Sequence, residues 1–213
     1  MGSMKLYDSS WAPSPRRVRI FLAEKRIEVE RVMVDLRRDE QLAPAYLAIN
    51  PRGTVPALVL ENGQIITESA SICRYFEAEC PDPPLFGTDS LNMAQIDSWT
   101  RRIEADGYAA AVYAFRNSKP QMQGRGQPGL WPPMPIIPEL VDRAHIMWGV
   151  FTRQLDERLG QSPWIAGDAI SFADITALMT VDFAARAGLI VGDDLHHLGR
   201  WHQMMSARPS AAA

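Results

Sequence analysis

Cysteine is scarce in this chain: Cys73 and Cys80 are the only two in 213 residues. They sit seven positions apart on one predicted helix, about two turns or ~10 Å, too far for an intact helix to bridge. Unpaired thiols of this kind suit a reducing compartment, and a cytoplasmic location is expected. No Cys-x-x-Cys occurs in the first loop, which disfavours an unrelated dithiol oxidoreductase. The histidines His145, His196, His197 and His202 have no metal-site spacing with cysteine or carboxylate, so no metal is expected. No apolar run approaches the ~20 residues of a membrane span, and no signal peptide is visible. "MGS" ahead of Met4 reads as a cloning remnant. Formal net charge is only -3, so neither nucleic acid nor membrane is an expected partner. The basic cluster Arg16, Arg17 and Arg19 reads as a solvated helix face. No internal repeat is visible.

What is present is ordinary globular composition, 46% hydrophobic and 22% charged, in a length that suits one large domain or two modest ones. The first part alternates strand and helix. "KLY" is a short strand, and Ser14-Pro15 in "YDSSWAPSPRR" looks like a helix start, with Ser14 as N-cap and Pro15 at the first helical position. The helix runs to about Lys25 with Val18, Ile20, Phe21 and Leu22 inward. "VERVMVDL" alternates as a second strand, and a helix spans about Leu42 to Ile49. "TVPALVLENGQIIT" is a hairpin around Asn62-Gly63. "ESASICRYFEAEC" is a helix stopped by Pro81, Pro83 and Pro84. The order is βαβαββα over residues 4–82, and residues 90–208 read as helix only. One amphipathic stretch covers about Leu91 to Arg116, and a second about Pro138 to Leu159. Between them lies a long connector, "KPQMQGRGQPGLWPPMPIIP", of a length that is often functional. "ISFADIT" opens a further helix with Ser171 as N-cap, Asp174 at N3 and an Ile170–Ile175 staple. A short helix around His196 to Ser206 closes the chain.

"NPRGTVPALV", "TESASICRYFE" and "WIAGDAISFADIT" resemble, in order and spacing, the signature regions of cytosolic glutathione transferases, and the resemblance covers essentially the whole chain. It implies a thioredoxin-like glutathione-binding domain followed by an all-helical domain, a homodimer, and glutathione as co-substrate. Glutathione is an extended peptide with two carboxylates and one ammonium, suited to a strand-like edge with charge partners at its ends. The resemblance implies a cis bond before Pro56 and pairing of the Val55 backbone with the cysteinyl residue. Glu68 then accepts the γ-glutamyl ammonium, and Ser69 with the helix amides binds its carboxylate. A plainer reading makes Glu68 and Ser69 capping residues. Gln41, Arg52 and Thr54 fall near the expected glycyl carboxylate. Ser171 and Asp174 match the family's folding box and belong to stability.

The family activates the glutathione thiol. A thiol of pKa ~8.5 is about 3% thiolate at pH 7, and two units of lowering yield roughly 25-fold more nucleophile. The position used by serine-type relatives falls on Ala12, which has no hydroxyl. Tyr7 is one residue off the tyrosine-type position and reads as a core strand residue. The stretch looks closer to a fungal and bacterial branch that lacks the usual Tyr, Ser or Cys, where the helix N-terminus and a bound water do the work. Ser10, nearer the helix mouth, and then Ser9 remain as hydroxyl donors. Trp11, Tyr113, Phe115 and Trp131 are candidates to line an apolar electrophile site, with Asn117 or Ser118 as polar contacts. The expected function is transfer of glutathione to small hydrophobic electrophiles in detoxification. Two alternatives stand beside it: a glutathione-dependent disulfide reductase or peroxidase, and a non-catalytic glutathione-transferase-like binding protein.

Overall fold

The computed structural model describes residues 3–213; Met1 and Gly2 of the "MGS" leader lie outside the described residues. Two compact units form. The first runs up to Pro83 and takes in Pro128–Pro132 and Ala213; the second comprises Pro84–Gln127 and Pro133–Ala212.

In the first unit the order is β1 (Lys5–Asp8), α1 (Pro13–Lys25), β2 (Glu30–Met33), a 3-10 turn (Glu40–Leu42), α2 (Pro44–Leu47), β3 (Ala57–Val59), β4 (Ile65–Thr67) and α3 (Ser69–Glu79). The sheet order is β2-β1-β3-β4. β1 and β2 are parallel, which requires the α1 crossover between them; the other two pairs are antiparallel. The expected thioredoxin-like layout is present. At the β3–β4 turn Gly63 has φ 82°, a conformation that favours a residue without Cβ, and the Gln64 amide donates to Asn62 Oδ1 at 2.9 Å. Leu6 and Leu58 of the sheet are fully buried, as are Val18, Ile20 and Phe21 of α1 and Ile72 of α3.

Several expectations change here. Helix α1 begins at Pro13, not Ser14: its N-cap is Ala12 in extended conformation (φ -79°, ψ 140°), without a side-chain cap bond. A residue before proline is pushed out of the helical region, and Pro13 suits the first helical position, so the upstream proline sets the boundary. The helix expected over residues 42–49 is the 3-10 turn and the four-residue α2, separated by an extended Ala43 that again precedes a proline. The second strand is only four residues long and pairs with β1 alone. Arg17 and Arg19 are not a solvated face: each is 7% exposed. Lys25 is buried as well; its Nζ donates to the carbonyls of Cys80 and Pro83, 2.7 Å each, and pairs with Glu77 at 2.7 Å. The lysine thereby holds the chain leaving α3. Val55–Pro56 and Asp82–Pro83 are both cis.

The second unit contains α4 (Ser90–Arg102), a widened π-turn (Ile103–Tyr108), α5 (Ala109–Asn117), a 3-10 turn (Pro120–Met122), α6 (Glu139–Gln161), α7 (Phe172–Arg186), α8 (His196–Ser206) and a closing 3-10 turn (Pro209–Ala212). The stretch expected over 91–116 is one continuous helical run, 90–117, with the π-turn as a widened segment between α4 and α5. A Cβ on Gly107 in that turn would lie 2.5 Å from the Phe151 ring, so glycine permits the close approach to α6. Residues 172–181 of α7 are buried without exception, which makes α7 the axis of this unit. Its N-terminus carries the expected capping box. The fully buried Asp174 carboxylate accepts from the Ser171 amide (2.9 Å), Ser171 Oγ (2.9 Å), the Ile165 amide (3.0 Å) and Trp201 Nε1 (2.9 Å).

Candidate functional site

The mouth of α3 is the best-built polar feature of the first unit. Glu68 immediately precedes the helix with φ 67°, a left-handed conformation uncommon for a residue with a side chain. Ser69 follows, 3% exposed. Arg17 of α1 donates to Ser69 Oγ from Nε at 3.2 Å and from Nη2 at 2.7 Å. Both lone pairs of the hydroxyl are therefore engaged, and its own hydrogen is left to donate to an acceptor. The opening amides of α3 have no acceptor inside the helix, and its positive dipole end lies here. Donor hydroxyl, amides and guanidinium favour a carboxylate. The Glu68 carboxylate, 58% exposed, favours a cation; it pairs with Arg52 Nη1 at 2.7 Å. Such an exposed pair is weakly held in water and open to exchange.

The turn from Asn50 to Thr54 stands beside it. Asn50 is 1% exposed; its Nδ2 donates to the Thr54 carbonyl (2.7 Å) and to Thr54 Oγ1 (3.1 Å), and its Oδ1 accepts from the Arg52 amide (3.1 Å). Tyr46 donates its hydroxyl to the same Thr54 carbonyl at 2.6 Å. Burial pushes the Tyr46 phenol well above its ordinary range, so it remains a donor at any physiological pH. These bonds deliver Val55 and the cis-bonded Pro56 to the start of β3. Gln41 is 7% exposed, and its Oε1 is buried with no hydrogen-bond partner among the described residues. Gln41, Arg52, Thr54, Val55, Pro56, Glu68 and Ser69 all lie in the first unit.

At the end of β1 the loop holding Ser9, Ser10 and Trp11 is fastened by Arg19. The guanidinium pairs with the buried Asp8 at 2.6 Å and donates to the carbonyls of Ser9 (3.2 Å) and Ser10 (3.3 Å). Ser9 is buried and Ser10 exposed. With prolines at positions 13 and 15, the first turn of α1 retains few amide donors: Ser14 has one, and the Arg16 amide already bonds the Ala12 carbonyl at 3.3 Å. Tyr7 is half-buried and meets Tyr46 edge-on, centroids 5.8 Å apart.

Among the electrophile candidates, Trp11 and Trp131 belong to the first unit and Tyr113, Phe115, Asn117 and Ser118 to the second. Trp131 is 52% exposed, with its indole donating to the Pro128 carbonyl. Phe115 packs against Phe183 at 5.2 Å and carries the Lys119 ammonium over its ring at 4.1 Å. Asn117 is 4% exposed and spans two backbone groups, donating to the Tyr113 carbonyl and accepting from the Ile137 amide. It fastens the connector to α5. Ser118 is exposed at the end of that helix, and Tyr113 is half-buried.

Tyr46 and Asn50 carry no expectation from the sequence, and Arg17, expected on a solvated face, is instead buried at the α3 mouth. A signal for Arg17 existed: Arg17, Phe21 and Lys25 recur every four residues beside Val18, which puts the arginine on the apolar face of α1. Cys73, fully buried one turn into α3, is held as a neutral thiol because burial pushes it well above the usual thiol range. Among the described residues no cluster of three or more metal-ligating side chains occurs, and no helix is long and apolar enough to cross a membrane.

Comparison with known proteins places the chain in a family. The family model described as "Glutathione S-transferase, N-terminal domain" matches residues 11–79, and "Glutathione S-transferase, C-terminal domain" matches residues 149–209. Glutathione S-transferase 2 of Saccharomyces cerevisiae is 33% identical over 97% of this chain and 87% of its own length. A maleylacetoacetate isomerase of Pseudomonas aeruginosa is 43% identical over a shorter stretch, 43% of this chain and 44% of its own. A glutathione transferase homologue from Sulfitobacter, solved with bound glutathione, superposes with a TM-score of 0.81 at 25% identity, covering 100% of this chain and 96% of that one. Matched at both domains and a third identical to a relative over almost its whole length, the chain belongs to the glutathione S-transferase family and is a glutathione transferase.

Proposed function

We propose that this enzyme adds the glutathione thiolate to small apolar electrophiles, a detoxification activity of a cytoplasmic homodimer, with glutathione held by the first unit. The observation that carries the reading is the α3 mouth, where Ser69 is held by Arg17 next to Glu68 in its left-handed conformation. This pairs a carboxylate receptor with a carboxylate, the two charges that a γ-glutamyl group reverses. In this reading the Ser69 hydroxyl and α3 amides take the γ-glutamyl carboxylate, and Glu68 takes the ammonium. The Val55 backbone, set by the Pro56 turn, pairs with the cysteinyl residue. Arg52, Gln41 and Thr54 receive the glycyl end. The thiol then lies toward the Ser9–Ala12 loop, where Ser10 or Ser9 contributes a share of its stabilisation and neither carries it alone. Trp11 of the first unit and, separately, Tyr113, Phe115 and Ser118 of the second are proposed as electrophile contacts; Asn117, with its amide engaged, holds the connector to α5.

Glutathione at about a hundred times its Kd stabilises a protein by about 2.7 kcal/mol, a shift of several degrees at this size. Absence of any melting shift at about 10 mM glutathione removes the pocket. Turnover with a chlorodinitrobenzene and not with a hydroperoxide distinguishes conjugation from the reductase or peroxidase reading, and binding without either turnover identifies a non-catalytic protein. Sedimentation at micromolar concentration reads the dimer directly.

A further inference from the structure

We infer that the tip of the connector, Gly129 and Leu130, is a positioning element for the glycyl end of glutathione; this rests on the glutathione reading above. The connector closes on itself at a neck, where the Gly126 amide donates to the Met134 carbonyl at 3.0 Å and the Met134 amide to the Gly124 carbonyl at 2.9 Å. Beyond that neck the five residues Pro128–Pro132 belong to the first unit. Their contact is specific. The Leu130 amide donates to the Arg52 carbonyl at 2.7 Å.

The other edge of the same peptide group is also held, because the Gly53 amide donates to the Asn50 carbonyl at 2.9 Å. Carbonyl and N–H of a trans peptide point in opposite directions, so these two bonds fix the plane of the Arg52–Gly53 link from both sides. One anchor comes from within the turn and the other from a segment almost eighty residues further along the chain. Both approaches need glycine. Gly129, φ 94°, comes so near that a Cβ would lie 2.6 Å from the Arg52 carbonyl oxygen and 2.9 Å from Thr54 Cγ2. Gly53, φ 62°, would place a Cβ 2.8 Å from Leu42 Cδ2 and 3.3 Å from both the Gln41 carbonyl and the Leu130 amide. The strap therefore bears on Arg52 and Thr54 directly and meets the Gln41 backbone across Gly53. Those are the three residues assigned to the glycyl carboxylate. Pro51 and Arg52 at the tip of this turn are open to solvent and would otherwise sample several shapes, and ordering them on binding would cost affinity.

The test uses titration calorimetry on the full chain with two probes, glutathione and γ-glutamylcysteine, which lacks the glycyl residue. Gly129→Ala obstructs the contact and Leu130→Pro removes its donor. Both variants should weaken glutathione about fivefold to tenfold, the size of one lost hydrogen bond, and raise KM for glutathione with kcat unchanged. Both should bind γ-glutamylcysteine like the parent. Gln127→Ala, exposed on the same loop, should bind glutathione like the parent. The inference is overturned if the two tip variants keep parental glutathione affinity, or if they lose both probes equally, which is the mark of general damage. A parent that binds neither probe overturns the glutathione reading itself, and this inference with it.

Discussion

Arg17 and Ser69, fifty-two residues apart, are joined by two hydrogen bonds of 3.2 and 2.7 Å, and both side chains are buried. The guanidinium has a fixed fork of donors, so it sets the direction of the serine hydroxyl as well as its position. It also brings a positive charge to the helix mouth, where α3 already favours an anion.

Arg17→Met should therefore weaken glutathione by about tenfold or more, the loss of charge-assisted contact at a buried site. Ser69→Ala should act through the same unit, so the double variant should lose little beyond the worse single one. Calorimetric titration of the four proteins forms the cycle. Fully additive losses would show that the two residues contact the ligand independently.

Glu68→Gln removes the partner of the proposed ammonium while keeping the side chain's shape. Affinity for glutathione should drop about tenfold, with S-linked glutathione analogues affected equally. Parental affinity in this variant would place the γ-glutamyl group elsewhere.

The serine loop should tolerate single losses. Ser9→Ala and Ser10→Ala should each lower turnover less than about tenfold, since a lone acid–base partner is worth about a hundredfold or more. Thiolate absorbance in the near ultraviolet follows the bound thiol. A hundredfold loss in Ser10→Ala at unchanged glutathione affinity would identify a true catalytic serine.

Asp174→Ala leaves two amides, a hydroxyl and an indole N–H without their buried acceptor. A loss of about 3 kcal/mol or more is expected, roughly a ten-degree fall in melting temperature for a chain this long. A fall of a degree or two would mean that α7 is held by packing alone.

Cys73 sets an alkaline limit. Its folded pKa is raised by burial, so its contribution is fully present below the unfolded value of about 8.5 and is lost as pH climbs toward the folded one. Between about pH 8.5 and 10, stability should fall by up to about 1.4 kcal/mol per unit, and Cys73→Ala should flatten that slope. Denaturant titrations across this range provide the check; identical slopes in both proteins would refute it. In the native state a thiol reagent should label the exposed Cys80 and spare Cys73.

Much of the frame was legible along the chain because it rests on short-range rules. The Asn62-Gly63 turn between β-rich runs marks the β3–β4 hairpin, Pro81, Pro83 and Pro84 mark the end of α3, and the Ser171–Asp174 spacing marks the start of α7. The final helix, His196–Ser206, falls where the pattern put it. Errors of boundary arose at prolines competing for one role, as with Pro13 and Pro15 in α1. The arginines of α1 were misread for a different reason. Charge predicts exposure only until a buried partner compensates it, and Asp8 for Arg19, like Ser69 for Arg17, lies on a different element.

By itself, then, the sequence determined which segments are strands and helices, the βαβαββα order followed by helices, and the family, since all of these follow from local pattern and motif spacing. Only the tertiary structure decided which polar groups meet. Arg17 reaches Ser69, Tyr46 and Asn50 share the Thr54 carbonyl, Trp201 reaches Asp174, and the connector returns at Leu130 to the Arg52 carbonyl. Several of these bonds join residues distant in the chain, and each depends on placement to within about an ångström, which packing imposes. No periodicity in the sequence encodes such a distance.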